Sequence, residues 1–443
     1  MSPTAGARGP ITRKARLSAS SRATKEANRA GCLSERNGHS HSELGLKLTL
    51  ALTHATRLIR SAEGVGLVAM ARHDPPPLES LTLMEGEIVA SDTDRHRRLL
   101  DYLAMMAPGT PLRDGFERIL RGRTGALVVL GKNKIISQIS TGGFALDVVY
   151  TPTALRELAK MDGAIIFDWE TDRIVRAGVQ LMPDAGIGTV ETGTRHRTAD
   201  RVSRQSGLPV VSISASMSTI ALYLDHHRHL VEHSDQILTR AHQALQTLER
   251  YRGRLWEVTT RLSSLEVQDQ VTVRDVALVA QRLEMVRRLE EELDTYVVEL
   301  GTDGRLLTLQ LHELRAGIDE LRCLLERDYR PARSSTFGLA GLQHLNTDEL
   351  LDPLTVARAA GFPHNMHLES HVTTRGFRQM AQINRLPAYL GDRLIEHFGT
   401  LQALFGASAN DLQTVEGVGE GRARVIRDGL VRLAESAYTE RLT

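Results

Sequence analysis

A chain of 443 residues is too long for one ordinary core and points to roughly two to four domains. Its 41% hydrophobic and 25% charged residues are those of a soluble globular protein, and its formal net charge of +1 selects no partner, so attraction to phosphate must come from local clusters. The two cysteines, Cys32 and Cys323, exclude a disulfide framework and a cysteine metal knuckle and suit a reducing, cytoplasmic setting. No stretch approaches the roughly 20 apolar residues of a membrane span, so no membrane partner is expected.

Residues 1–92 are rich in Ser, Ala, Gly and Arg, and their opening is nearly free of acids. They are expected to be a disordered extension or the product of a start codon assigned too early, with Met70 or Met84 as alternative starts. A transit peptide fits less well, and there is no secretory apolar region. From Asp94 the pattern becomes globular. Leu99, Leu100 and Leu103, then Leu112, Phe116, Ile119 and Leu120, carry helical spacing. Thr124–Gly131 is a short apolar run bounded by glycines and predicts a buried strand. Gly163–Asp168, Arg173–Val179 and Val210–Ser214 predict further strands, with helices at Thr153–Lys160 and Arg197–Gln205. Strands alternating with helices imply an α/β domain over 93–231.

Over 232–335 the pattern is helical throughout. Leu238, Ala241, Leu245, Leu248, Leu255, Val258, Leu262 and Leu265 recur at steps of three, four or seven, and Val276, Leu283, Val286 and Leu293 repeat the pattern. Long amphipathic helices with charged outer faces make an all-α spine. The Gly301–Gly304 turn separates them from a third predicted helix, Leu306–Arg327. Pro331–Thr336 reads as a linker to an all-helical C-terminal domain over 336–443.

Two short blocks carry chemistry. Thr194, Arg195, His196, Arg197 and Thr198 place two fixed cations, one titratable donor and two hydroxyls where a loop enters a helix, with Thr194 or Thr198 as a candidate N-cap. A helix start offers free N–H groups and a positive dipole end to phosphate, and arginine adds a planar fork. The bland alternative is a solvated basic loop. The second block is Met161–Asp168, in which Asp162 stands before Gly163 and Ala164 at the mouth of a strand. Small residues there would let a ligand approach the backbone, and a strand-end carboxylate can hold Mg²⁺ or Mn²⁺ beside a phosphate. An ordinary Asp-Gly turn is the alternative. No GxxxxGK[ST] loop or dinucleotide fingerprint is present.

Leu412–Leu430 has the form of a helix–hairpin–helix. Gly417, Val418 and Gly419 make the hairpin, and Gly421, Arg422, Arg424 and Arg427 follow at the next helix's start. Such backbone can grip a DNA phosphate without reading bases. A partner hairpin within Ile383–Phe398 fits poorly, because Leu386-Pro387-Ala388-Tyr389-Leu390 stands where glycines would be, so a degenerate copy that only packs is expected. His364, His367 and His371 are expected to face solvent.

Asp162-Gly163-Ala164 followed by Arg195-His196-Arg197 resembles the paired motifs of diadenylate cyclase domains. Thr124–Gly131, Ser140–Phe144 and Val211–Ser216 fit the same domain. Glu299–Leu311 and the C-terminal module extend the resemblance, from about Asp94 onward, to the DNA integrity scanning diadenylate cyclases in their actinobacterial form. The resemblance implies that two ATP are joined into cyclic di-AMP with release of two pyrophosphates. It places Gly163 and Leu181 at the adenosine end with Ala164 beside them, Thr194–Thr198 on the triphosphate, and Ser214 near phosphate. Asp162 would be the metal ligand and would orient the ribose 3′-hydroxyl. It further implies Mg²⁺ or Mn²⁺, branched DNA as a partner, and a homo-octamer of two four-membered rings with cyclase domains paired face to face. The rival reading is a non-catalytic nucleotide-binding protein that recognises DNA structure.

Overall fold

The computed structural model describes residues 94–330 and 337–439, so the expectations for residues 1–92 and for the Pro331–Thr336 linker lie outside the described residues. A helix over 94–105 (α1) leads to α2 (Pro111–Arg121). There Thr110 accepts from the Arg113 N–H and Pro111 needs no donor at the first position. Eight strands follow: β1 (Ala126–Leu130), β2 (Ser140–Thr141), β3 (Phe144–Val149), β4 (Ala164–Asp168), β5 (Arg173–Leu181), β6 (Val210–Ser214), β7 (Thr219–Leu224) and β8 (His227–Val231). They form one sheet in the order β2-β5-β4-β1-β6-β7-β8, with β3 also pairing to β5.

Both faces of the sheet are covered. Val128, Leu130, Ile165 and Ile213 pack with Phe116 and Ile119 of α2 and Leu155 of α4 (Pro152–Leu158). Leu127, Val129, Ile166 and Ala221 pack with Ile136 of α3 (Lys134–Ile139) and with Ala199 and Val202 of α5 (Thr194–Ser206). Cover on both faces leaves every residue of β1, β4 and β6 buried, which explains the continuous apolar run of β1 and the weak alternation of the other two. The expected α/β domain is present, but its sheet is mixed: β1 and β4 are the parallel pair, and every other pairing is antiparallel. The reason is local. β4–β5, β6–β7 and β7–β8 are joined by turns too short for a parallel crossover.

α6 (Ser234–Val267) has 34 residues, which makes it roughly 50 Å long. α7 (Val273–Leu300) returns along it, started by a reciprocal cap between Thr272 and Asp275. Leu245, Leu248, Leu255 and Leu262 meet Val276, Leu283, Val286 and Leu293 in one core. The predicted third helix is two helices, α8 (Arg305–Arg315) and α9 (Ile318–Tyr329). Ala316 leaves helical geometry with ψ 122° and Gly317 turns left-handed with φ 82°. Apolar spacing continues across the break, so periodicity could not reveal it. Leu339, Leu342, α10 (Thr347–Leu351), α11 (Pro353–Ala359) and Phe362 also join the spine's core.

The Gly301–Gly304 turn is where the spine meets the sheet domain. Thr302 N–H donates to the Pro108 carbonyl at 3.1 Å, and Ser234 Oγ donates to Asp303 at 2.7 Å. Gly301 has φ 50°, and a Cβ added there would lie 2.5 Å from the Pro108 carbonyl oxygen. Gly301→Ala is therefore expected to destabilise the protein by about 2 kcal/mol, read as a lower midpoint of thermal unfolding. An unchanged midpoint would show that the turn is free to move away from Pro108.

The C-terminal module has its own core, built from α12 (Phe377–Ala381), α13 (Ala388–Phe398), α14 (Leu401–Gly406), α15 (Ala409–Leu412) and α16 (Glu420–Thr439). A buried polar hub fastens it to α6. Glu266, fully enclosed, accepts from Arg378, Gln379 and Tyr329, each at 2.7 Å. Asp328 accepts the backbone N–H groups of Gly376, Phe377 and Arg378 at 2.7, 2.6 and 2.9 Å. Satisfaction of every partner is what makes such burial tolerable, and removal of any one would leave a charge stranded.

The expected degenerate copy at Ile383–Phe398 is instead a complete hairpin. Phe377 and Ala409 open the first helices of two units, and Ala388 and Glu420 open the second, a constant step of 32 residues. The bonds repeat at the same step. Ile383 N–H donates to Met380 O as Val415 does to Leu412 O, and Leu386 donates to Ile383 O as Val418 does to Val415 O. His364, His367 and His371 are exposed, as expected.

Candidate functional site

Strand direction gathers the two motif blocks at one edge of the sheet. β1 and β4 begin there, β5 and β6 end there, and the pairings Leu127 with Ala164, Ala126 with Ile213 and Ala164 with Val179 set the register. Gly163, Leu181 and Ser214 therefore share that edge with Gly125. Because β1 lies between β4 and β6, Gly163 and Ser214 are about two strand spacings apart, ~10 Å.

α5 begins over this edge. Its N-cap is Gly193, which offers no side chain, and the first turn contains no acid. Neither threonine caps it: Thr194 is the first helical residue, and Thr198 Oγ donates back to the Thr194 carbonyl at 2.9 Å. The opening N–H groups and the dipole's positive end are thus left for an anion. Arg195 and Arg197 are exposed beside them. The Arg195 guanidinium lies across Gly125, where an added Cβ would come within 2.0 Å of Nη1 and 3.0 Å of the Ile213 carbonyl oxygen. Gly125, legible in the sequence only as a strand boundary, makes room for it.

His196 is different. It is buried, and its Nδ1 lies 2.9 Å from the Tyr223 hydroxyl. Burial, then the nearby Arg228 and Arg195, hold it below the ordinary imidazole range. The titratable member of the block is therefore a neutral imidazole rather than a third cation. Tyr223 is itself buried, and burial followed by the Glu191 carboxylate pushes its hydroxyl up, so it stays protonated. Glu191 pairs with Arg228 at 3.4 Å, which closes a chain of contacts beneath the helix start. Tyr223, Glu191 and Arg228 escaped the sequence reading. The available signal for Tyr223 was a lone hydroxyl within the apolar residues 220–224, on the same face as Ala221.

Asp162 is exposed, and its Oδ1 accepts the Gly163 N–H at 3.1 Å. Gly163 has φ 109°, and a Cβ there would lie 2.6 Å from the Gly178 carbonyl carbon. Its missing side chain is thus needed for close passage of β5, while its backbone remains exposed at the strand edge. Ala164 is 1% exposed and Leu181 8%, both inside the core beneath α5, so a nucleotide would meet mainly their backbone. Ser214 is buried at the end of β6, with Oγ 3.3 Å from Ser216 Oγ. Among the described residues no group of three or more His, Cys, Asp or Glu could hold a metal alone. A single exposed carboxylate beside an anion site still fits Mg²⁺ or Mn²⁺, which commonly take one or two carboxylates and complete their shell with substrate phosphate.

Comparison with known proteins matches residues 113–228 to the nucleotide-binding domain of the DisA bacterial checkpoint controllers and residues 231–369 to their linker region. The DNA integrity scanning protein DisA of Streptomyces coelicolor is 58% identical over 346 residues, 76% of this chain and 92% of that protein. Its counterparts in Acidothermus cellulolyticus and Kineococcus radiotolerans are each 56% identical, over 79% and 77% of this chain and 97% of each relative. The chain belongs to the DisA family. The DisA match takes in the strand edge, the α5 start and the spine joint described above, and among the described residues no helix is long and apolar enough to cross a membrane.

In the C-terminal module Gly417 has φ 92°, and its Cα side packs on Leu390, with 3.1 Å left for an added Cβ. Gly419 and Gly421 face open space, and Val418 is a core residue, so it offers only its backbone. The arginines are less free than the sequence implies. Arg422 donates to the Gly417 carbonyl at 2.7 Å, Arg424 pairs with Glu420, and Arg427 donates to the Ala407 carbonyl.

Proposed function

We propose that this chain is a diadenylate cyclase of the cytoplasm that joins two ATP into cyclic di-AMP and two pyrophosphates, and that its C-terminal module binds DNA, including branched DNA. The observation that carries the first part is the uncapped, acid-free start of α5, flanked by Arg195 and Arg197, on the same edge as Asp162. Two ribose 3′-oxygens must each attack an α-phosphorus in line while pyrophosphate leaves, so catalysis is mostly positioning and neutralisation of charge. Thr194–Thr198, Arg195 and Arg197 would hold the triphosphate, with Ser214 near phosphate. Gly163, Ala164 and Leu181 would border the adenosine. Neutral His196 would donate a hydrogen bond to the departing oxygens. Asp162 would hold Mg²⁺ or Mn²⁺, which supplies Lewis-acid activation of the 3′-hydroxyl when bound, and would orient that hydroxyl.

Each domain presents one such edge, and ring closure requires two attacks of opposite sense. Two domains face to face would supply both, within a homo-octamer of two rings. The DNA grip would use the N–H groups around Gly417, Val418, Gly419 and Gly421, with Arg422 and Arg424 beside them. Purified protein given ATP with Mg²⁺ or Mn²⁺ is expected to form cyclic di-AMP, identified by mass spectrometry, and to shift a four-way DNA junction in a gel. ATP consumption that yields only linear product would contradict the cyclase assignment. A protein that is monomeric by light scattering yet fully active would contradict the paired-domain mechanism.

A further inference from the structure

The C-terminal module carries two hairpins of one design, but they differ in what stands at their tips. The step of 32 residues sets Arg385 at the position of Gly417, and both are left-handed, with φ 64° and 92°. Pro387 stands for Gly419 and Ala388 for Glu420, each pair opening a long helix, α13 and α16. Leu390 of α13 packs on Gly417, and Arg393 donates to the Glu416 carbonyl at 3.2 Å, so the start of α13 lies beside the second tip.

The charge around the tips is unequal. The second tip is flanked by two exposed carboxylates, Glu416 and Glu420; Arg424 is paired with Glu420 and Arg422 is turned onto the Gly417 carbonyl. The first has no acidic residue from Arg378 to Gly391, and the next, Asp392, is held by Arg327 at 2.7 Å. Arg385 is exposed at its very turn and has no hydrogen-bond or ion-pair partner among the described residues. Asn384, Pro387 and Tyr389 are exposed beside it, and Tyr389 keeps 54% of its surface. Arg393 lies 3.6 Å from Glu416, so among the described residues each tip keeps one cation without a carboxylate partner, Arg385 at the first and Arg422 at the second, but only the first has no acidic residue flanking its turn.

We infer that the first hairpin is a second DNA-backbone contact, with the Arg385 guanidinium set on a phosphate while the glycine-bearing second hairpin grips through backbone N–H groups. The partner is double-stranded DNA held through its phosphates, without base readout. This deepens the DNA-binding part of the proposed function and rests on it.

The test measures affinity of the full chain for a short duplex and for a four-way junction by fluorescence anisotropy across a salt series. Arg385→Ala and Arg385→Gly are each expected to weaken binding about ten-fold and to lower the slope of log K against log salt by about 1, the signature of one lost phosphate contact. Arg385→Lys should stay within a few-fold of the parent chain, and Arg118→Ala, a surface arginine of the sheet domain already paired with Asp114, should change nothing. Glycine at 385 suits a left-handed turn, so Arg385→Gly keeps the fold and isolates the charge. Parent affinity and slope in both Arg385→Ala and Arg385→Gly would overturn the inference while leaving DNA binding in place. Absence of salt-dependent binding by the unmodified chain would instead overturn the DNA-binding reading, and the inference with it.

Discussion

Asp162→Asn is expected to lower cyclic di-AMP formation by about 1,000-fold while leaving the protein folded. The carboxylate is exposed and its one hydrogen bond is to the Gly163 N–H, which an asparagine carbonyl accepts equally well. Substitution at such a surface position changes stability by no more than about 0.5 kcal/mol. What asparagine cannot do is bring a negative charge to a divalent cation and to the ribose 3′-hydroxyl. Loss of one preorganised electrostatic partner of a reacting group typically costs about 100- to 1,000-fold in turnover, and a lost metal ligand falls at the upper end. ATP binding should persist, because the α5 start and its arginines lie across β1 from Asp162 and are untouched. The measurements are initial rates of product formation beside ATP affinity by calorimetry. A variant that turns over like the parent would remove Asp162 from the chemistry, and one that loses ATP affinity outright would make it a binding residue.

How much of this was legible beforehand follows from what each signal encodes. Burial in the spine obeys a helical repeat, so Leu245, Leu248 and Leu262 announced their own positions. The same repeat runs through Ala316 and Gly317, where only a backbone torsion marks the break. The two motif blocks carried residue types suited to phosphate and metal, but not the partners that tune them. Nothing local to Gly163 says that a neighbouring strand takes up the space beside it, and nothing local to His196 says that it is roofed over and joined to Tyr223. The first hairpin reads only as a degenerate copy because the matched positions exchange one apolar residue for another, Met380 for Leu412 or Ile383 for Val415, while the conspicuous glycine is replaced by Arg385. Motif reading looks for the glycine. The fold needs only a residue that tolerates the left-handed region, and an exposed arginine at a turn can do so at modest cost.

The second large effect is expected at Tyr223, whose hydroxyl meets His196 Nδ1 at 2.9 Å inside the core. Phenylalanine keeps the ring and its packing but leaves the imidazole nitrogen without a partner. The bond at Nδ1 fixes the tautomer and tilt of the ring, whose Cδ2 side faces Gly193 and the open amides of α5, where a departing pyrophosphate would lie. Tyr223→Phe frees the ring to change tautomer and tilt, and loss of such an orienting partner typically costs about 10- to 100-fold. The fall should appear in kcat with KM nearly unchanged, since Arg195 and Arg197, the proposed triphosphate holders, are untouched. The pH dependence adds a readout that packing alone would not move. Burial and the neighbouring arginines lower the folded-state pKa of His196, so its contribution to stability is full above the unfolded imidazole value of about 6.5 and is lost as pH falls toward the folded value. The parent's activity should therefore hold to below pH ~6.5 before its acid limb begins, whereas Tyr223→Phe should shift that limb. An unaltered pH profile with a uniform loss of kcat and of thermal stability would reduce Tyr223 to a packing residue. A kcat loss with a displaced limb would make it the group that aims His196 at the leaving phosphates.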